Sequence, residues 1–498
     1  MTHMKRLIAV AIFTFMADYV RASNLLVYTS NDNGAGSLRQ CIADNAALGG
    51  GSAIIFSNVV TGTITLTNGE LLITNNVTIL GPGAGVLAID GNAASSVFHI
   101  DNGVTAAISG LTITNGSASG GGGILNVHST VTVSNCNISG NSTAGAGGGI
   151  YNDGVVGSAT LTVVASTLSG NSASVGGGIY NDGYVGSVTL TVIASTFSDN
   201  SSGDEGGGIY NEGQYGSATL TVITSTFSGN LADYAGGGIY NHTCAPGSAM
   251  LTVVASTFSA NSASQGGGIV NDAFSCPDIP SAFSGNSAIT AGNAGGGIHA
   301  NDSSTTGATL EIGDTILNAG ASGENIANFG GTVTSDGYNL SSDNGGGFLT
   351  ATGDQTNTDP RLGPLANNGG PAVTMALRVG SPAIDAGNSF GLATDQRGQP
   401  RYDNPNIANA TAGDGADIGA YEATELRIVS VQKTGNHLQL DFINWLGTNY
   451  EVQSRSDMAS GSWDSLGFTN AGNGGIATIT VSNAFDQSQQ FYRIHPVQ

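Results

Sequence analysis

A glycine-rich segment recurs through the middle of this chain at a nearly constant interval, and this repeat restricts the fold more than any other feature. The segment reads GGGILN at 121, GGGIYN at 147, 176, 206 and 236, GGGIVN at 266 and GGGIHAN at 295. Its isoleucines stand 26 residues apart once and 29 or 30 residues apart thereafter. A fixed period of this length is typical of solenoids and other repeat proteins.

Each repeat unit contains three short strand-like pieces separated by polar turns. The first piece alternates between apolar and polar residues, as in ATLTVVA at 159–165. The second carries one apolar residue at a matching position, namely Leu168, Phe197, Phe227, Phe258 and Phe283. The third is the glycine run with its isoleucine. Three strands in about 30 residues predict one coil of an all-β, right-handed parallel β-helix, with coils about 4.8 Å apart. Leucine-rich repeats and β-propellers fit less well, because the leucine pattern and the four-stranded blade are missing.

Stacked coils place like residues on like residues. The phenylalanines are therefore expected to form an aromatic column in the core. Two asparagine columns are expected to form amide ladders: Asn152, Asn181, Asn211, Asn241 and Asn271 in one, and Asn141, Asn171, Asn200, Asn230, Asn261 and Asn286 in the other. The glycine runs indicate positive φ angles or a close approach of backbones at a corner.

The chain divides into five segments. Residues 1–22 have Lys5 and Arg6 followed by an apolar run of eleven residues, which predicts a signal peptide and a secreted, extracellular or outer-surface location. Residues 23–52 are expected to cap the β-helix. They contain an α-helical segment with Ser37 as its N-cap, which presents Leu38, Ile42 and Ala46 on one face. Residues 53–358 form the β-helix, 359–422 its end and 423–498 a small β-sandwich. No stretch is long enough for a transmembrane segment.

Charge excludes several classes of partner. The formal net charge is −23, and no Lys or Arg occurs between Cys41 and Pro360. Nucleic acids and anionic membranes are recognised mainly through basic side chains, so neither is expected to bind this body. The remaining partners are neutral glycans or cell-surface components, and the protein is expected to be a monomer.

Several motifs resemble known families. The GGGIYN and STFSGN units are similar to polymorphic outer membrane protein repeats, and TSNDNGAGSLRQCIADNA resembles the N-terminal motif of related secreted proteins. DPRLGPLANNGGP, ALRVGSPAIDAG, TDQRGQPR and ADIGAYE in residues 359–422 resemble a choice-of-anchor Q domain. The ending QFYRI is similar to C-terminal domains of secreted bacterial proteins. These resemblances imply an extracellular location and no particular reaction.

Two columns of the third strand are candidate binding positions. Tyr151, Tyr180, Tyr210 and Tyr240 follow the inward isoleucines, so alternation points them outward, where they could stack on sugar rings or form a structural ladder. Asp153, Asp182, Glu212 and Asp272 follow the first asparagine column, interrupted by His242. These carboxylates either bind Ca²⁺ between coils or stay solvated at turns, and solvation is the favoured interpretation.

The four cysteines divide into two kinds. Cys244 and Cys276 fall in the same loop of adjacent coils, at a spacing that suits a disulfide, so we predict that they are bonded. Cys41 and Cys136 have no such register and are expected to be buried free thiols.

The residue pattern favours a non-catalytic function. β-helix polysaccharide lyases use a basic residue that this body lacks, and the Gly-His-Gly motif of related hydrolases is absent. Asp199, Asp204 and Glu205 could form a carboxylate cluster for glycoside hydrolysis, although a solvated loop is favoured. The sequence therefore predicts a secreted, adhesin-like scaffold. The alternative is a carbohydrate-active protein that binds neutral glycans or acts as a polysaccharide lyase or hydrolase.

Overall fold

The structure is a computed structural model. It describes residues 24–243, 247–273, 282–284, 288–293, 297–302, 309–319, 324–329, 332–378, 380–404, 407–423, 427–443, 449–456, 462–471, 476–486 and 490–497. The predicted all-β parallel β-helix is confirmed. Three long parallel sheets, named sheets 1 to 3 below, run side by side along the chain.

Sheet 1 contains the alternating segments. It has 12 strands, at Asn24–Val27, Ser52–Phe56, Val77–Leu80, Thr105–Ser109, Thr130–Ser134, Ser158–Val164, Ser187–Ile193, Ser217–Ile223, Ser248–Val254, Ala282–Ser284, Thr309–Gly313 and Thr332–Gly337. In the strands of the central coils, every second side chain is buried, as the pleat of a strand requires.

Sheet 2 contains the FSGN-like segments. It has 16 strands in two rows that merge. One row comprises Gly62–Thr65, Leu87–Asp90, Thr112–Thr114, Asn137–Ser139, Thr167–Ser169, Thr196–Ser198, Thr226–Ser228 and Ser256–Ser262. The other comprises Ser117–Gly120, Ser142–Ala146, Ser172–Ala173, Ser201–Ser202 and Leu231–Ala232, and both continue through Ala288–Asn293, Ile316–Ala319 and Leu340–Ser341.

Sheet 3 contains the isoleucine that follows each glycine run. Its 10 strands are Leu71–Ile73, Phe98–Ile100, Ile124–Val127, Ile150–Asp153, Ile179–Asp182, Ile209–Glu212, Ile239–Thr243, Ile269–Ala273, Ile298–Asp302 and Ile326–Phe329. Gly206, the first glycine of its run, has a φ of +67°, and an added Cβ would stand 2.7 Å from the Ile209 carbonyl oxygen. Both predicted uses of glycine, positive φ and close approach, are therefore present.

The core confirms the predicted columns. Phe197, Phe227 and Phe258 stack with ring centroids 4.6 and 4.7 Å apart and nearly parallel planes. The described asparagines of both columns are fully buried and form amide ladders. Phe283 was wrongly assigned to the phenylalanine column, because its backbone pairs with Leu251 in sheet 1. Asn286 lies outside the described residues.

The N-terminal cap contains the predicted helix, Leu38–Ala47, and the Ser37 side chain accepts a hydrogen bond from the Gln40 amide. Leu38 and Ile42 are buried, but the third buried apolar position is Cys41, while Ala46 is partly exposed. The boundary at residue 53 was too late. The strand Asn24–Val27 already pairs in parallel with Ser52–Phe56, so the solenoid begins before the helix.

Residues 359–422 fold back along the solenoid. They contain the antiparallel strands Leu362–Ala366 and Thr374–Leu377, after a 3₁₀ turn at Gly345–Gly347. The Gln396 side chain hydrogen-bonds both Thr226 and Thr257 on sheet 2, at 2.8 and 2.6 Å. This segment therefore covers the outer side of sheet 2 in two coils.

The C-terminal module has two three-stranded antiparallel sheets, as expected of a small sandwich. One contains Arg427–Thr434, His437–Ile443 and Ile476–Val481, and the other contains Asn449–Arg455, Asp464–Ala471 and Phe491–Val497. Phe442 from the first and Tyr450 from the second meet in one buried cluster, with rings 5.5 Å apart.

Candidate functional site

The tyrosines of the third strand form a stacked column beside the β-helix core. Neighbouring rings stand 5.0 to 5.2 Å apart from Tyr151 through Tyr180 and Tyr210 to Tyr240. Parallel register places each ring directly above the last. The structural ladder, one of the two interpretations of this column, is therefore present.

The other interpretation, an exposed stripe that stacks on sugar rings, disagrees with the burial of these rings. Tyr180 and Tyr210 are each 8 % exposed and Tyr240 is 4 % exposed. Residues at the end of sheet 2 and just after it, among them Ala146, Val175 and Ala235, pack against the rings. The side chains do point away from the solenoid core, but a second, smaller apolar cluster encloses them, so their faces are unavailable for stacking on a sugar.

The carboxylates of the next column accept hydrogen bonds from these tyrosines, one coil further on. The Tyr151 hydroxyl donates to Asp182 at 2.7 Å, Tyr240 donates to Asp272 at 2.7 Å, and Tyr180 donates to Glu212. Asp182, Glu212 and Asp272 are at most 8 % exposed, so the expectation of solvated turn carboxylates was wrong for these three. Asp153, at the start of the column, is only partly buried.

The carboxylate column was also a candidate Ca²⁺ site. Within the described residues, no group of three or more His, Cys, Asp or Glu side chains is arranged to hold a metal ion. The buried oxygens of Asp182 and Asp272 are instead used by tyrosine hydroxyls.

Two adjacent coils each break the pattern at one position. His242 occupies the carboxylate position that would follow Tyr210, and Glu205 occupies a cover position that is Val175 and Ala235 in the coils on either side. The His242 ring stacks on Tyr240 at 5.6 Å, and its buried Nδ1 lies 3.9 Å from Asp272 without a hydrogen bond. These two coils therefore depart from the repeat of tyrosine and acceptor carboxylate.

Burial sets the protonation of these two groups. It lowers the pKa of His242 to about 4, so the ring is neutral at pH 7. Burial first, and then the negative charges of Asp204 and Glu212, raise the pKa of Glu205 to about 7. Asp199 and Asp204 are exposed, as the solvated-loop interpretation expects, but Glu205 is half-buried.

The structure describes two of the four cysteines. Cys41 and Cys136 are buried free thiols, as predicted. Cys136 lies on the column of Ser166, and its backbone amide donates to the Ser166 hydroxyl at 3.1 Å. The predicted disulfide partners Cys244 and Cys276 lie outside the described residues.

The outer side of sheet 1 presents a regular, partly exposed surface. Its outward threonines form two rows in continuous parallel register, and we call this surface the hydroxyl face. Its members are Thr130, Thr160, Thr189 and Thr219 in one row and Thr132, Thr162, Thr191, Thr221 and Thr252 in the other. A row of serines runs beside it, and Met250 replaces threonine at the end of the first row.

The hydroxyl face is uncharged and its hydroxyl groups are unused. All its threonines are partly or fully exposed, and none of their hydroxyls bonds within the described part of the protein. On sheet 2, by contrast, the hydroxyls of Thr112 and Thr114 donate to backbone carbonyls. The recurring TLT segments carry the signal for this face, because strand alternation places their threonines outward.

The choice-of-anchor-like motifs contribute a buried ionic cluster. The Arg397 guanidinium pairs with Asp395 at 2.7 Å and lies 3.6 Å from the centre of the Tyr421 ring. Arg401 pairs with Glu422 at 3.2 Å and approaches Asp314 of the solenoid at 3.8 Å. These side chains are almost fully buried, which indicates a structural role in joining residues 359–422 to the β-helix.

No protein-family model matches this chain, and no curated protein is significantly similar to it. Among the residues that the structure describes, no helix is both long and apolar enough to span a membrane.

Proposed function

We propose that this protein is a secreted or cell-surface scaffold of adhesin-like type, which has no catalytic role and attaches to an extended, uncharged partner. The hydroxyl face is the observation that carries this proposal. It repeats the same pair of outward threonines from coil to coil in fixed register. Many equivalent weak contacts on one rigid support give avidity along an extended partner rather than tight binding of one small molecule.

The neutrality of the face supports an uncharged partner. The 28 residues 154–181, between Asp153 and Asp182, contain no Asp, Glu, Lys or Arg, although the whole chain carries a net charge of −23. A partner of either charge gains nothing from this surface, and an acidic one would be repelled by the rest of the molecule. The extracellular location rests on the N-terminal segment 1–22.

The carbohydrate-active alternative depends on Glu205, the half-buried carboxyl with a pKa near 7. A general acid needs such a pKa, but glycoside hydrolysis needs a second carboxyl across an open cleft. The nearest buried carboxyl in the column, Glu212, already accepts the Tyr180 hydroxyl. A structural role for Glu205 in the column cover is therefore our proposal.

The experiment combines adsorption with turnover. Wild-type protein is offered particulate cellulose, particulate chitin and polycrystalline ice, and a reducing-end assay is run on soluble neutral polysaccharides. We expect adsorption to at least one solid, lost in a Thr162→Lys/Thr191→Lys variant, and no turnover. Hydrolysis that a Glu205→Gln variant abolishes would overturn the proposal, as would the absence of adsorption to every solid.

A further inference from the structure

We propose that the hydroxyl face is an ice-binding surface, whose ligand is the water lattice of an ice crystal. This inference rests on the proposed function, since it names the partner of the same face. The observation behind it is a two-dimensional array, in which both threonine rows keep register through successive coils. A periodic array of this kind on an open surface matches a partner that is itself periodic.

The dimensions of the array follow from β-sheet geometry. Neighbouring threonines of one row lie about 4.8 Å apart across strands, and the two rows lie about 6.6 Å apart along each strand. The array is therefore rectangular, with both repeats on the scale of the separations between water oxygens in an ice plane. Waters held between the threonines would stand in positions that a growing ice surface can incorporate.

Threonine is the suitable residue for holding water in this way. Its β-branched side chain has few χ1 rotamers, so the hydroxyl and methyl positions are already fixed before binding. Preorganised groups lose little conformational entropy on binding, and this matters when each contact is weak. The hydroxyls of the face are also free to bond water, because none bonds within the described part of the protein.

The composition of the face favours ice over a crystalline glycan. Sugar rings are commonly bound by aromatic side chains, which offer an apolar platform. The two rows contain no aromatic residue, and the tyrosine column that could have served is buried on another sheet. Charged side chains, which would hold water away from lattice positions, are also missing from both rows.

The experiment measures incorporation into ice. Purified full-length protein is mixed with a slowly growing polycrystalline ice shell, and the protein in the ice and in the remaining liquid is quantified. Thermal hysteresis and inhibition of ice recrystallisation are measured on the same samples. We expect enrichment in ice for the wild type and a loss of about tenfold or more for Thr162→Lys/Thr191→Lys, because two lysines disrupt adjacent coils of the array.

Three further variants make the result specific. Thr167→Lys/Thr196→Lys places the same charges in the same coils but on sheet 2, and should incorporate like the wild type. Thr162→Val/Thr191→Val keeps the β-branched shape and removes only two hydroxyls. It should therefore retain the fold and still lose incorporation into ice. Met250→Thr extends the first row by one coil and should increase activity. Far-UV circular dichroism verifies that each variant keeps its β structure.

The outcomes separate this inference from the proposed function. A wild type that is excluded from ice overturns the inference, and so does a face variant that still incorporates. If the protein adsorbs to cellulose or chitin instead and the face variant does not, the ice assignment fails while the scaffold proposal stands. Failure to adsorb to any of the three solids overturns both.

Discussion

The ring of His242 lies 6.4 Å from the ring of Tyr210, at the position where neighbouring coils place an acceptor carboxylate for the preceding tyrosine. Tyr180 and Tyr240, on either side, donate to Glu212 and Asp272. The carboxylate column therefore lacks a carboxylate at position 242. Glu205 adds a carboxyl group at a position where Val175 and Ala235 of neighbouring coils pack against the tyrosines. These two replacements place groups with opposite pH responses in adjacent coils.

His242 should make the protein sensitive to acid. The folded-state pKa of about 4 lies below the ordinary 6.5, so between these values the unfolded chain binds a proton that the folded chain does not. Stability is then lost as the pH falls from about 6.5 to about 4, by up to about 3 kcal/mol. A His242→Asn variant should lack this contribution in urea unfolding across that range, whereas His437→Asn, at an exposed position, should follow the wild type.

Glu205 should act in the opposite direction. Its folded-state pKa of about 7 lies above the ordinary 4.5, so the folded chain binds the extra proton between these values, and stability falls as the pH rises through them. Because the side chain is half-exposed, we expect a loss of only about 1 kcal/mol. The free energy of unfolding of Glu205→Gln, measured from pH 4 to pH 8, should not show this decline. Asp199→Asn, which changes an exposed carboxylate of the same coil, is the control, and an unchanged profile in Glu205→Gln would contradict the assignment.

The asparagine ladder should contribute strongly to stability. Asn181 accepts from the Asn152 amide and donates to Asn211, both at 2.6 Å, and all three residues are fully buried. Asn181→Ala leaves a donor and an acceptor unsatisfied in the core, which should cost about 3 kcal/mol. Chemical denaturation measures this cost. Asn102→Ala, at an exposed turn, should change the midpoint little, and equal effects at both sites would argue against the ladder.

The phenylalanine column offers a test of packing. Phe227 lies between Phe197 and Phe258 and is fully buried, so Phe227→Ala should destabilise the solenoid by about 3 to 5 kcal/mol through the cavity it leaves. Phe227→Leu should cost clearly less, because Leu168 already fills the corresponding position of the same column. Thermal unfolding of both variants gives the comparison. A leucine as harmful as alanine would mean that ring stacking, not volume, dominates.

The solenoid itself could be predicted from the sequence because each repeat unit packs on the unit before and after it. Once residues 29 or 30 apart are stacked, the columns of Asn181 and Phe227 follow without knowledge of any other contact. The prediction was wrong at Phe283, where the match in residue type between repeat units suggested the wrong sheet. The register there depends on the path of the chain between coils, and periodicity does not determine that path.

The candidate site was harder to predict. Alternation correctly directed Tyr180 away from the core, but it contains no information on whether another segment lies over the ring, as Val175 does. Periodicity also does not predict contacts between distant parts of the chain. The bond between Gln396 and Thr226, 170 residues apart, is an example. The hydroxyl face, in contrast, could be predicted from the TLT segments, because register and alternation are enough to define it.

Arg401 should be essential for holding residues 359–422 against the solenoid. Its side chain is buried, donates to the Asp417 and Gly419 carbonyls at 2.8 Å, and pairs with Glu422. Burial raises the pKa of Glu422 to about 7 even with this positive charge beside it. Arg401→Met removes the partner and leaves buried carboxylates uncompensated, so we expect a loss of about 3 to 5 kcal/mol and faster proteolysis of this segment.

A charge rescue distinguishes an ionic role of Arg401 from simple packing. In the double variant Arg401→Met/Glu422→Gln, the buried pair is replaced by neutral groups, so part of the lost stability should return. Arg378→Met, at an exposed position of the same segment, should change stability by no more than about 0.5 kcal/mol. Limited proteolysis and urea unfolding of the three variants together measure both effects. If Glu422→Gln brings no recovery, the loss arises from the backbone carbonyls that Arg401 contacts, because those bonds are missing in both variants.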